Sequence, residues 1–242
     1  MDLKKKIFII LRMENWWNYK TCTTGERNRD QLYRGRGGGL KMYCILVTGI
    51  PAAGKSTMAA FLAEHLGLPV ISKDKIKEIM YDDIGFCSRQ EKVKLGIAGM
   101  NIMYYMAEQL MKSNQPFILE NNFEKISKEP LIEIFERYSY TAITVTLIGN
   151  YSKVYERFVE RNNSPDRHRG HVVTDCYPEK TPNKDVKPIS YEKFVRGIID
   201  RGMDSFVANG PHIVIDTTDF NKMQIETLIK KINSYREEIL HG

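Results

Sequence analysis

From Met42 onward the apolar positions alternate between two periods. Tyr43–Thr48 (YCILVT) is a continuous apolar, β-rich run closed by a glycine, the pattern of a strand buried on both faces. Residues 55–66 (KSTMAAFLAEHL) switch to helical spacing and stop at Gly67, a suitable residue for a helix end. Pro69–Ser72 reads as a second short strand, followed by a helix to about Tyr81 that Asp82-Asp83-Ile84-Gly85 breaks. A long helix spans residues 89–112, with Met100, Met103, Met106 and Met111 as core filler. Phe117–Glu120 and Thr141–Ile148 are the third and fourth strands, with a helix from about Pro130 to Tyr138 between them. Further helices are expected at 152–162, 191–204 and 221–240, and a fifth strand at His212–Asp216. Residues 163–190 carry prolines and polar residues without periodicity and read as a long functional loop. Strands alternating with helices predict an α/β fold, a five-stranded parallel sheet covered on both faces.

Composition narrows this further. Of 242 residues, 42 % are hydrophobic and 27 % charged, an ordinary globular balance, and no apolar run is long enough to span a membrane. The four cysteines, Cys22, Cys44, Cys87 and Cys176, lie far apart in sequence with no C-x-x-C spacing, so neither a disulfide framework nor a zinc ribbon is indicated and a cytoplasmic setting is expected. The net charge of +6 belongs to residues 1–42, where ten Lys/Arg face four Asp/Glu; the rest of the chain is neutral. That neutrality disfavours a nucleic-acid-binding body. Residues 1–42 also hold both tryptophans and the run Gly37-Gly38-Gly39, and read as a basic, disordered extension to a domain over 43–242. Lys4–Lys6 followed by a five-residue apolar run falls short of a signal peptide. Translation beginning at Met42, with the glycines as read-through of a purine-rich ribosome-binding sequence, is one expectation; a basic arm for a partner is the other.

Gly49-Ile50-Pro51-Ala52-Ala53-Gly54-Lys55-Ser56 fits the phosphate-loop pattern G-x-x-x-x-G-K-[ST], between a predicted strand and a predicted helix where that motif must sit. Glycines let the backbone wrap phosphates, and successive N–H groups point inward at a helix N-terminus of partial positive charge. Gly49, Ala52, Ala53 and Gly54 supply the wrap, Lys55 reaches the β- and γ-phosphates, Ser56 can ligate Mg²⁺, and Thr57 lies near the α-phosphate. No N-K-x-D guanine element with the right spacing follows. Chain length disfavours motors and transporters, leaving a small ATP-dependent kinase.

The second strand leads into Ser72-Lys73-Asp74, beyond the carboxyl end of the sheet where ligands gather. Asp74 there could take the proton of an acceptor hydroxyl, or merely cap the following helix. The phosphate loop, this aspartate with a basic residue three positions on (Lys77), and an arginine-bearing lid over about 157–190 resemble the zeta-toxin, chloramphenicol phosphotransferase and polynucleotide 5′-kinase branch of P-loop kinases, with the look of a predicted AAA-type ATP-binding kinase. The resemblance covers about residues 43–240. It implies a P-loop NTPase three-layer sandwich, ATP and Mg²⁺, and Asp74 as general base. Lys77 stands where polynucleotide kinases use arginine, so the acceptor is left open. Glu120, at the end of Phe117-Ile118-Leu119-Glu120-Asn121-Asn122, takes the Walker-B-like position as a Mg²⁺ holder, with Asn121 and Asn122 toward the acceptor. Many relatives carry aspartate there.

Phosphoryl transfer spreads charge over the γ-phosphate oxygens, which lid guanidinium groups can stabilise. Arg157 and Arg161 lie four apart on one helix face, both able to point at the nucleotide, with Arg161 and Arg167 as catalytic candidates. Arg167-His168-Arg169-Gly170-His171 resembles the R-H-x-G-H lid segment of predicted kinases in this group. The alternative is a solvated basic face paired by Glu156, Glu160 and Asp166. His168, His171 and Cys176 lack a fourth ligand for zinc. Asp216-Thr217-Thr218 lies where related kinases contact the adenine edge, or Thr218 or Asp219 caps a helix. The reading is a kinase for a small-molecule acceptor. A regulatory ATPase without an acceptor, a zeta-type toxin and a polynucleotide 5′-kinase are its alternatives.

Overall fold

The computed structural model describes residues 41–179 and 188–241. The expectations for residues 1–40 and the part of the lid at 180–187 lie outside them. Five parallel strands, β1 (Met42–Gly49), β2 (Val70–Ser72), β3 (Phe117–Glu120), β4 (Tyr140–Ile148) and β5 (His212–Asp216), pair in the order β2-β3-β1-β4-β5. Every residue of the central strand β1 is buried, which is why it reads as an unbroken apolar run. Its alternate side chains divide the core. Tyr43, Ile45 and Val47 enter one cluster, and Met42, Cys44 and Leu46 the other. The layers are completed by α1 (Lys55–Leu66), α2 (Lys73–Asp83), α3 (Arg89–Lys112), α4 (Lys128–Arg137), α5 (Tyr151–Asn163), the short α6 (Arg169–Val172), α7 (Tyr191–Arg201) and α8 (Ile225–His241). The fold is therefore the expected α/β sandwich with a lid insertion. Among the described residues no helix is long and apolar enough to cross a membrane.

Local chemistry explains most boundaries. Ser88 caps α3 by accepting the Glu91 N–H at 3.1 Å, while the Glu91 carboxylate accepts the Cys87 N–H at 2.6 Å. Asn150 caps α5 through the N–H groups of Ser152 and Lys153. The helix expected to reach residue 204 stops at Arg201 because Gly202 turns left-handed, φ 66°. The terminal helix starts at Ile225 rather than 221. Asp219 accepts the Asn221 N–H at 3.0 Å and closes a separate 3₁₀ turn over Phe220–Lys222. Of the four methionines, Met103 and Met111 are core, Met100 packs at its edge, and Met106 is 42 % exposed because it faces away from the buried stripe. The lid carries structure that periodicity missed. It holds the four-residue α6 and an antiparallel bridge between Phe86 and Tyr177.

Candidate active site

The loop from β1 to α1 is shaped by backbone that side chains would obstruct. Gly49 has φ 126°, and a Cβ there would lie 2.0 Å from the Leu147 carbonyl oxygen of the neighbouring strand. Ala52 (φ 62°) and Gly54 (φ 87°) complete the left-handed turns that aim the loop amides inward at the start of α1. Ala53 is buried beneath the loop. Lys55 is buried and folds back across the loop, donating from Nζ to the Ile50 carbonyl at 2.8 Å. Burial lowers its pKa to about 8, against the opposing charges of Glu120 and Asp74. Ser56 and Thr57 are exposed at the mouth of the loop.

The register of the sheet brings three further residues to this mouth. Glu120 pairs with Val47 of β1 and Ser72 of β2 at the strand ends. Its carboxylate accepts from Ser72 Oγ at 2.5 Å and faces Ser56 Oγ at 3.4 Å. Burial pushes the Glu120 pKa up, against the Ser72 hydrogen bond and the Lys55 charge. Two adjacent hard oxygen donors, a hydroxyl and a carboxylate, fit a magnesium ion that keeps waters and phosphate oxygens as its other ligands.

Asp74 sits in the first turn of α2, but Ser72, not Asp74, is the cap residue, so the capping alternative does not hold. Lys77 Nζ lies 3.3 Å from the Asp74 carboxylate. Burial alone would raise the Asp74 pKa; the Lys77 charge first, and Arg167 with it, outweigh burial and hold the carboxyl well below its usual range. Asn121 is buried, its amide donating weakly to Met100 Sδ at 3.9 Å, with Asn122 half-buried beside it.

The lid arginines divide between tasks. Arg161 and Arg167 are within electrostatic reach of Lys55 and Asp74, and the Nε of each is buried without a hydrogen-bond partner. Burial lowers the Arg161 pKa to about 10, Arg167 adding to the effect. Arg157 leaves this group. Its two terminal nitrogens donate to the Thr217 and Thr218 carbonyls at 2.6 and 2.7 Å, and its guanidinium stacks 4.1 Å from the Phe220 ring centroid. Phe220 also borders Gly54, so this platform adjoins the phosphate loop. Arg169 is held by Glu179 in a two-pronged pair at 2.8 and 2.7 Å. Among the described residues, none of Arg157, Arg161 and Arg167 is ion-paired to Glu156, Glu160 or Asp166; Glu156 pairs with Lys153 instead.

The two lid histidines bind α2. His168 Nδ1 accepts the Gly170 N–H at 3.0 Å, which leaves Nε2 to carry the proton toward Asp82 at 3.0 Å. His171 Nε2 meets Glu78 at 3.1 Å, and its side chain is only 5 % exposed. Burial lowers the His171 pKa to about 4, so the ring is neutral near pH 7. Lys92 reaches across from α3 to the carbonyls of His171 and Val173. A Cβ on Gly170 would lie 2.4 Å from the Tyr81 ring, which explains the glycine between the histidines. Among the described residues no His, Cys, Asp and Glu trio could hold a metal.

Sequence reasoning missed Ser72, Lys92, Tyr81 and Phe220. Ser72 was findable, since it ends β2 opposite Glu120. The others are set by packing between segments far apart in the chain.

A phosphate loop at the carboxyl end of the central strand of a five-stranded parallel sheet, beneath an arginine-bearing lid, defines an ATP-binding P-loop phosphotransferase of the kinase type. The chain belongs to the AAA_18 family, an AAA domain, whose model matches residues 45–183. Among solved structures, a candidate kinase from Chloroflexus aurantiacus is 25 % identical, with TM-score 0.66, over 81 % of this chain and 98 % of that one. A shikimate kinase from Bacteroides thetaiotaomicron matches at 15 % identity and TM-score 0.47, over 80 % of this chain and 97 % of its own. No curated protein matches.

Proposed function

We propose that this protein transfers the γ-phosphoryl group of ATP to a hydroxyl of a small-molecule acceptor, with Asp74 as general base. The observation that carries the reading is the convergence of Asp74, Glu120, Arg161 and Arg167 within electrostatic reach of the phosphate-loop Lys55. A switch that only binds nucleotide has no use for an ionised carboxylate facing the far side of the phosphates.

The loop amides and Lys55 bind the β- and γ-phosphates. Ser56 and Glu120 hold the magnesium ion, which when bound offsets charge on the phosphate oxygens. Asp74, kept ionised by Lys77 and Arg167, accepts the acceptor hydroxyl proton and directs its attack. A low pKa is no obstacle, because in a loose transition state the proton leaves late. Arg161 and Arg167 stabilise the charge that spreads over the equatorial oxygens, and their unpartnered Nε groups fit that task. Lys77, Asn121 and Asn122 line the acceptor side, and the Arg157–Phe220 platform takes the adenine. The Asp74–Lys77 pair, three apart on one helix, supports the zeta-toxin, chloramphenicol phosphotransferase and polynucleotide 5′-kinase branch.

The test is acceptor-dependent ADP release from ATP and Mg²⁺ against pooled nucleotide sugars, aminoglycosides, nucleosides and 5′-hydroxyl oligonucleotides, with Asp74→Asn alongside. Acceptor-dependent ADP that vanishes in the variant supports the kinase reading. Slow hydrolysis that ignores every pool and the variant would sink it in favour of a regulatory ATPase.

A further inference from the structure

We infer that Cys87 and Cys176 form a thiol–disulfide modification site, which a low-molecular-weight disulfide of the glutathione type converts into a covalent clamp on the lid. The two residues are 89 positions apart, yet their Sγ atoms lie 3.8 Å apart. Backbone register puts them there. Phe86 and Tyr177 exchange both hydrogen bonds, Phe86 N–H to Tyr177 O at 2.8 Å and Tyr177 N–H to Phe86 O at 2.7 Å. One step outward along the antiparallel bridge, Cys87 and Cys176 are therefore directly opposite as the non-hydrogen-bonded pair. Such pairs hold their Cα atoms about 4.5 Å apart, within the span a disulfide accepts.

The frame around the pair is fixed. Phe86 is buried against Tyr81 and Tyr177, and Val173 completes the small apolar cluster. The Cys87 N–H is held by Glu91 at 2.6 Å. Cys87 is exposed, so a small disulfide can reach its sulfur from solvent. No disulfide joins Cys87 and Cys176 in the structure, and neither is assigned to the phosphate, magnesium or acceptor side of the proposed site.

The chemistry balances without another oxidant. The Cys87 thiolate attacks one sulfur of the small disulfide and expels a thiolate. The Cys176 thiolate then attacks Cys87 Sγ and expels the second. One Sγ–Sγ bond forms and the small disulfide bond breaks; the two protein thiols lose two electrons, which the small disulfide gains, and their protons pass to the released thiolates. The product ties the segment after α6, downstream of Arg167 and His171, to the turn between α2 and α3.

The test equilibrates the full chain in mixtures of glutathione and glutathione disulfide, then quenches with acid and maps peptides without reduction. A Cys87–Cys176 cross-link is expected, with an intact mass lower by two hydrogens and reversal by dithiothreitol. In Cys176→Ser, Cys87 is expected to remain as the glutathione adduct with no cross-link. Hydrogen exchange of the amides at 168–178 is expected to slow severalfold in the oxidised protein, and not in Cys87→Ser under the same buffer. Stable glutathione adducts on both cysteines, links to Cys22 or Cys44 in place of this pair, or unchanged exchange after cross-linking would each overturn the clamp. None of these readouts depends on kinase activity, so the clamp and the proposed reaction stand or fall separately.

Discussion

Lys77 Nζ lies 3.3 Å from the Asp74 carboxylate, one turn along the same helix, and is the strongest of the charges that keep that carboxylate ionised. The pair separates two properties that a single variant would confound. Asp74→Asn keeps the shape of the side chain but cannot take a proton. It is expected to lower acceptor-dependent turnover by about 10²–10⁴-fold while ATP affinity stays within a few-fold, measured by ADP release and by fluorescent-nucleotide titration. Equal loss of binding and turnover would assign Asp74 to the fold instead.

Lys55 predicts how nucleotide binding responds to alkali. Burial holds its pKa at about 8 in the ligand-free protein, and phosphate contact favours the charged form and raises it. Above pH 8 the amine must therefore take up a proton to bind. Affinity for a non-hydrolysable ATP analogue is expected to weaken toward about tenfold per pH unit there. Calorimetric titration from about pH 7 to about 9.5 checks this. Lys55→Met should lose affinity and leave the remainder flat with pH.

Phe220 predicts a purely nucleotide-side effect. It supports the Arg157 guanidinium at 4.1 Å and reaches neither Asp74 nor Glu120 by any described contact. Phe220→Ala is expected to remove a contact of about 0.5–2 kcal/mol, raising the ATP KM roughly 2- to 30-fold with kcat little changed. Steady-state kinetics in ATP decide it, and a fall in kcat alone would place the ring nearer the chemistry.

Gly170 tests how the lid is seated. A methyl group there would overlap the Tyr81 ring, at a cost of about 1–3 kcal/mol if the lid stays docked. Gly170→Ala is expected to lower the thermal midpoint and speed hydrogen exchange at 168–173. Adding Tyr81→Leu should restore part of both. No recovery in the double variant would show that the two sites do not meet.

His171 predicts an acid limit. The folded ring has a pKa of about 4, while the unfolded chain titrates near 6.5, so between those values the unfolded state binds more protons. The contribution of His171 to stability is therefore fully present above about pH 6.5 and is lost as pH falls toward about 4. The groups facing the ring are Asp74, Glu78, Lys77 and Arg167. Thermal midpoints recorded across that window should fall less steeply in His171→Gln than in the unaltered protein. Parallel slopes would exclude His171 as the source.

The sequence by itself determined the five strands and the phosphate loop. Both are local: a buried strand needs a continuous apolar run, and the loop needs glycines and a lysine at fixed spacing at the start of a helix. Gly49 could be read for that reason, as could Glu120 at a strand end. The lid was legible only as a region. Its arginines share one composition and one periodicity, so Arg157 and Arg161, four apart, were indistinguishable in sequence. Only the tertiary structure sent one to the Thr217 and Thr218 carbonyls and the other toward Lys55 and Glu120. The same holds for His168 with Asp82, His171 with Glu78, and Cys87 with Cys176, partners 86, 93 and 89 positions apart. No local pattern encodes such pairs. They follow from packing the lid on the aromatic cluster around Tyr81, which fixes register and distance together once the chain is folded.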